Sequence, residues 1–255
     1  MRKHFGIILM IDALGVSQYN IKECRDFLIK QKNLEEHFQS LKAVFGSWAP
    51  HYKFSQASIF GDTIIHCWPI DSKKITDHYS VIYDVVADAS LVLQDGVKNG
   101  VLYRGCIAIG DYIFEKNTVL GPAVFDAHDW YESANWFGVI LTPKTQLLLE
   151  SLFEKENRKT KDKSDEELEQ QLSRLLVRYE VPLSHCASMQ NTKEFWSVAW
   201  PFWYFNPLKE EITEESPREV VLKDLFKISQ SKDGEPKFKN SIDFFDWYHE
   251  KFYPD

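Results

Sequence analysis

The chain has 255 residues, enough for one substantial domain, and its 44% hydrophobic and 15% aromatic content supports a real core, which excludes a disordered chain. A formal net charge of −8 argues against a broad basic face that would hold nucleic acid, but not against a nucleotide whose phosphates are neutralised locally. Cys24, Cys67, Cys106 and Cys186 form no C-x-x-C pair, the apolar run after the basic start is too short for a signal peptide, and no stretch approaches the roughly eighteen apolar residues of a membrane span. A reduced, cytoplasmic protein is expected.

The first element, Phe5–Gly15, reads FGIILMIDALG. Gly6 to Ile11 predicts a strand buried on both faces, ending in a lone carboxylate and a glycine turn. A carboxylate at such a strand tip is costly unless it is paired or holds a metal, which singles out Asp12. Asp12 as a simple helix cap is the plainer alternative. The turn Ala13-Leu14-Gly15-Val16 would offer backbone N–H groups to phosphates. Ser17–Trp48 predicts a long helix, divided at Asn33, and Pro50 closes it.

Tyr52–Phe60 and Thr63–Trp68 predict two strands joined by a Gly61-Asp62 hairpin turn, with Phe54, Gln56, Ser58 and Phe60 on one face. If this hairpin lies beside the first strand, Asp62 converges on Asp12, and two such carboxylates can share a pair of divalent ions. A second helix follows near Thr76–Val97, with Tyr79, Ile82, Val86, Ala89 and Leu93 as its core stripe. Val101–Ile109 returns as a strand interrupted by Arg104, either snorkelling at an edge or aimed at an anion.

A short hairpin at Tyr112–Leu120, a helix opened by Gly121-Pro122 and running to about Asn135, a strand at Phe137–Leu141 and a helix from Thr142-Pro143 through Phe153 come next. Glu154–Arg174 is highly charged and predicts a solvated helix or insertion. Arg178–Leu183 and Glu194–Trp203 predict a closing strand pair around the loop Ser184–Lys193. Two helices, Pro217–Ser229 and the aromatic-rich Ser241–Phe252, complete the chain. The order implies an α+β fold: a largely antiparallel sheet flanked by helices, residues 1–205, and a C-terminal helical extension, 206–255, packing on the domain or a dimer. His51, His66, His78, His128 and His185 show no metal-ligand spacing and read as packing or surface.

The segments MIDALG, IFGDTII, YRGCIAIGD, GPAVFDAHDWYES and FGVILTPKTQLLLE, in that order, resemble the class III nucleotidyl cyclase catalytic domain over roughly Phe5 to Trp203. The sequence is especially similar to bacterial anti-phage pyrimidine cyclases, which make cyclic CMP or cyclic UMP. The resemblance implies that Asp12 and Asp62 bind two Mn2+ or Mg2+ ions. It also implies that Ala13, Leu14 and Gly15 meet the phosphates and that a head-to-tail homodimer places the active sites at its interface. Where purine cyclases read the base with lysine or glutamate, this chain has Ser58, which puts ATP specificity in doubt. Where they carry a catalytic asparagine and arginine, it has Phe125 and Asp129. Arg104 is the candidate substitute cation, Lys193 a loose match to the phosphate lysine, and Phe54 a candidate base-stacking ring.

The expected activity is conversion of UTP or CTP to the 3′,5′-cyclic monophosphate, with no nucleic-acid partner. A phosphohydrolase using the same aspartates, or a degenerate module that binds nucleotide without turnover, are the competing readings.

Overall fold

The computed structural model describes residues 3–47, 49–70, 79–156, 163–184, 192–206, 215–226 and 235–254. His78 and His185, the end of the Pro217–Ser229 helix and most of the Ser184–Lys193 loop lie outside these residues.

β1 (Lys3–Ala13) leads through a single 3-10 turn (Val16–Gln18) to α1 (Ile21–Phe45) and α2 (Pro50–Lys53). β2 (Gln56–Phe60), β3 (Thr63–Ile70), α3 (Tyr79–Lys98), β4 (Tyr103–Glu115) and β5 (Thr118–Leu120) follow. Next come α4 (Pro122–Trp130), β6 (Gly138–Leu141), α5 (Pro143–Glu156), α6 (Lys163–Leu175), β7 (Leu176–Pro182), β8 (Thr192–Val198), α7 (Phe202–Phe205), α8 (Pro217–Phe226) and α9 (Glu235–Phe252). The strands form one eight-stranded sheet in the order β2-β3-β1-β4-β6-β8-β7, with β5 on β4. Only the β4–β6 pairing is parallel among the described strands, so the fold is α+β with a mostly antiparallel sheet.

β1 lies between β3 and β4, and Ile7 to Ile11 are almost wholly buried, as a strand covered on both faces requires. On one face the Cys106 thiol donates to the Ala127 carbonyl of α4. On the other, Phe38 of α1 packs on His66 and Trp68 of β3. His66 is a core histidine: burial pushes its pKa down to about 3, and its ring lies 3.8 Å from that of Trp68.

Tertiary contacts move several boundaries. Asn33 does not divide α1, which starts from an Asn20/Glu23 capping box and runs unbroken to Phe45. The strand expected from Tyr52 begins only at Gln56, because residues 50–53 form a helical turn. There His51 meets Asp84 at 3.0 Å and the Tyr52 hydroxyl donates to Asp88 at 2.9 Å, bonds to α3 that override the local alternation. Phe54 consequently stands in the connection and not on the face of Ser58. α4 ends at Trp130, and β8 stops at Val198, after which Trp200 turns into the core. Leu172 in the charged stretch and Leu175 just after it, both on α6, are buried. Phe244, Phe245 and Tyr248 of α9 are buried in this same chain, the Tyr248 hydroxyl donating to the Arg174 carbonyl.

Candidate active site at the β1 strand end

Asp12 sits one residue before the end of β1, opposite Thr63 on β3 and opposite Arg104 on β4. Residues in register point to the same side of a sheet, so the three side chains meet above one face. Thr63 Oγ1 donates to Asp12 Oδ1 at 3.1 Å, and Arg104 Nη2 lies 3.8 Å from Asp12 Oδ2. Asp62 arrives by its turn: the Ala13 N–H donates to the Asp62 carbonyl at 3.2 Å. Gly61, at φ 62°, makes that turn possible, and the buried Gln31 amide of α1 holds the Gly61 carbonyl at 2.9 Å. β1 and β4 approach so closely here that a Cβ on Gly105 would lie 2.1 Å from the Met10 carbonyl oxygen.

The electrostatics are unbalanced. Burial raises the Asp12 pKa, and the charges of Asp62 and Glu132 raise it further, against the Thr63 hydrogen bond and Arg104. Arg104 makes its shorter contact elsewhere, with Glu132 Oε1 at 2.8 Å from Nη2. Surplus negative charge between two carboxylates fits a divalent cation. Among the described residues no group of three or more His, Cys, Asp or Glu could hold a metal. Magnesium-type ions commonly use one or two carboxylates and complete their shell with water and substrate phosphate, so the pair suffices.

The other expected residues are more dispersed. Of the turn amides, Ala13 is spent on Asp62 and Leu14 donates to the Leu102 carbonyl at 2.8 Å. Gly15, at φ 82°, and Val16 are the amides that open the 3-10 turn, and neither finds a partner among the described residues. Ser58 lies on β2, its hydroxyl donating to the Asn117 carbonyl of the β4–β5 turn at 2.7 Å. Phe54 is 58% exposed, with Lys53 Nζ 5.5 Å from its ring centroid. Lys193 lies inside β8, paired with Val181, its Nζ 5.6 Å from the Phe195 ring centroid. One chain thus gathers Asp12, Asp62 and Arg104, while Ser58 on β2 and Lys193 on β8 stand toward opposite edges of the sheet. On α4, Phe125 is exposed, and Asp129 is exposed beside His128.

Sequence reasoning missed Thr63, Asn117 and Glu132. Thr63 was legible as the neighbour of Asp62. A mostly covered arginine calls for a carboxylate, but nothing local ties Arg104 to a residue 28 positions later.

No protein-family model and no curated protein matches the sequence. Solved structures do show similarity. The catalytic core of a rhodopsin-guanylyl cyclase with converted specificity, in complex with ATPalphaS, aligns at TM-score 0.43 and 10% identity over 77% of this chain and 97% of that one. An adenylate/guanylate cyclase/hydrolase from Silicibacter pomeroyi aligns at TM-score 0.41 and 14% identity, over 77% of this chain and 97% of that one. The guanylyl cyclase Cya2 aligns at TM-score 0.39 and 14% identity, over 78% and 93%. No helix among the described residues is long and apolar enough to cross a membrane.

Proposed function

We propose that the chain is a metal-dependent nucleotidyl cyclase that converts a pyrimidine nucleoside triphosphate, UTP or CTP, into its 3′,5′-cyclic monophosphate and pyrophosphate. Its role would be a second-messenger signal in bacterial anti-phage defence. The observation that carries the reading is the convergence of Asp12 and Asp62 at one strand end, with Asp12 held above its usual pKa by burial and by the Asp62 charge. The five ordered motifs supply the substrate class and the defence role.

Asp12 and Asp62 would hold two Mg2+ or Mn2+ ions, which supply charge stabilisation for the attacking and leaving oxygens. Thr63 orients Asp12 by its hydrogen bond. Arg104 offers a cation for charge developing on the phosphates, in place of the arginine that α4 lacks. The Gly15 and Val16 amides are donors for the same phosphates. In the reaction the ribose 3′ oxygen bonds to the α-phosphorus, the bond to the β-phosphate oxygen breaks, pyrophosphate leaves and the hydroxyl proton passes to solvent. The substrate supplies its own nucleophile, so positioning is the main task of the protein.

The separation of Ser58 and Lys193 within one chain supports a head-to-tail homodimer. Asp12 and Asp62 of one copy would face Ser58 and Phe54 of the other, with Lys193 directed to the phosphates. A second reading, a module that binds nucleotide without turnover, is favoured by Phe125 and Asp129 on α4.

The test is incubation of the purified protein with each of the four ribonucleoside triphosphates and Mn2+, with products separated by chromatography and identified by mass. A cyclic monophosphate from CTP or UTP alone is expected. Binding of one nucleotide with no product from any would replace the cyclase reading with the binding module, and release of inorganic phosphate without cyclic product would replace it with a phosphohydrolase.

A further inference from the structure

We propose that Glu132 is a positioning residue that holds the Arg104 guanidinium off Asp12, so that Asp12 stays available to a divalent cation while the guanidinium keeps donors for an anionic substrate. The inference deepens the cyclase reading and rests on it.

Arg104 and Asp12 are cross-strand neighbours, with side chains only 14% and 13% exposed. Two such opposite charges, left to themselves, close to a hydrogen-bonded pair at 2.7–2.9 Å. Here they stand 3.8 Å apart. Glu132 accounts for the gap: its Oε1 accepts from Nη2 at 2.8 Å and its backbone carbonyl accepts from Nη1 at 3.4 Å. The guanidinium is thus gripped by one residue through side chain and main chain together.

The grip has an anchor of its own. The Glu132 carbonyl also accepts from Ser184 Oγ at 2.9 Å, and the Ser133 carbonyl takes the Ser184 N–H at 2.8 Å. The Asn135 N–H donates to Pro182, and Ala134 bridges to Leu183. The turn after α4 is therefore strapped to the end of β7. The strap fixes the main chain of Glu132, from which its carboxylate, 56% exposed, reaches Arg104.

The remaining donors of Arg104 point to a ligand. Nε is buried and has no partner among the described residues, an expensive state for a guanidinium donor. Arginine presents five donors in a rigid fork, and the two spent on Glu132 leave others for phosphate oxygens. Without Glu132 the guanidinium would swing onto Asp12 and compete with the metal for it.

The test measures Mn2+ binding to the full chain in the absence of nucleotide, by calorimetry or by the electron-paramagnetic signal of free Mn2+. Glu132→Gln is expected to weaken Mn2+ binding about tenfold, the scale of losing a partner that orients a ligand, and to lower kcat more than it raises KM. Glu132→Asp should recover part of both. The decisive variant is Glu132→Gln with Arg104→Ala: removing the competitor restores Mn2+ affinity to at least the wild-type value while turnover stays low. Unchanged Mn2+ affinity in Glu132→Gln, with its folding confirmed by circular dichroism, overturns the proposal, as does a double variant that binds more weakly than the single one. Wild-type protein that binds Mn2+ through Asp12 but turns over no triphosphate would remove the cyclase reading and leave the role of Glu132 standing.

Discussion

The Ala13 N–H donates to the Asp62 carbonyl at 3.2 Å, so the strand end carrying one carboxylate is bonded to the turn carrying the other. The main chain thus keeps the two residues near each other, and the Asp62 charge is felt at Asp12. Asp12→Asn or Asp62→Asn should therefore reduce cyclic-nucleotide formation on the order of a hundredfold or more, as loss of a metal-bearing group does. Either change should also raise the melting temperature of the metal-free protein, because it removes like-charge repulsion at a half-buried site. Mn2+ should raise the melting temperature of the wild type and leave that of Asp12→Asn unmoved; an equal metal response in both would remove Asp12 from the metal site.

Asp88 gives a pH signature independent of the site. Burial raises its pKa from the usual 3.8 to about 8, with Asp84 adding to the shift and the Tyr52 hydrogen bond opposing it. Between these values the folded protein holds a proton that the unfolded chain has released. Stability should then fall as pH rises through this window, by up to about 1.4 kcal/mol per pH unit, and level off above about 8. Urea denaturation of wild type and Asp88→Asn at several pH values reads this directly, and the variant should lose the slope.

Ser58→Ala removes the hydroxyl that ties β2 to the β4–β5 turn. The expected cost is about 1 kcal/mol of stability, from one hydrogen bond with a strand partly open to water. If Ser58 lies in the base pocket, the ratio of kcat/KM between the preferred and the other pyrimidine triphosphate should fall several-fold; an unchanged ratio would assign Ser58 to the turn alone.

Phe244→Ala tests the anchoring of α9. Its ring is fully buried, 4.7 Å from the centroids of both Trp136 and Tyr179. A loss of about 3–5 kcal/mol is expected in chemical denaturation, the cost of emptying a large aromatic site. A change under 1 kcal/mol would mean that α9 is not part of the cooperative core.

By itself the sequence determined the buried first strand, the hairpin whose turn holds Asp62, the core stripe of α3 and the α+β succession, because each is written in short-range periodicity and turn chemistry. Asp12 stood out for the same reason, as a lone charge ending an apolar run. Tertiary structure alone decided that Tyr52 belongs to a helical turn, that Ala13 and Leu14 have already spent their amides, that Ser58 serves the Asn117 carbonyl and that Arg104 is held by Glu132. Each of these depends on a polar group finding its partner across the sheet or between elements. Hydrogen bonds of that range leave no trace in local spacing, since the requirement to satisfy a buried donor fixes that a partner exists but not where along the chain it lies.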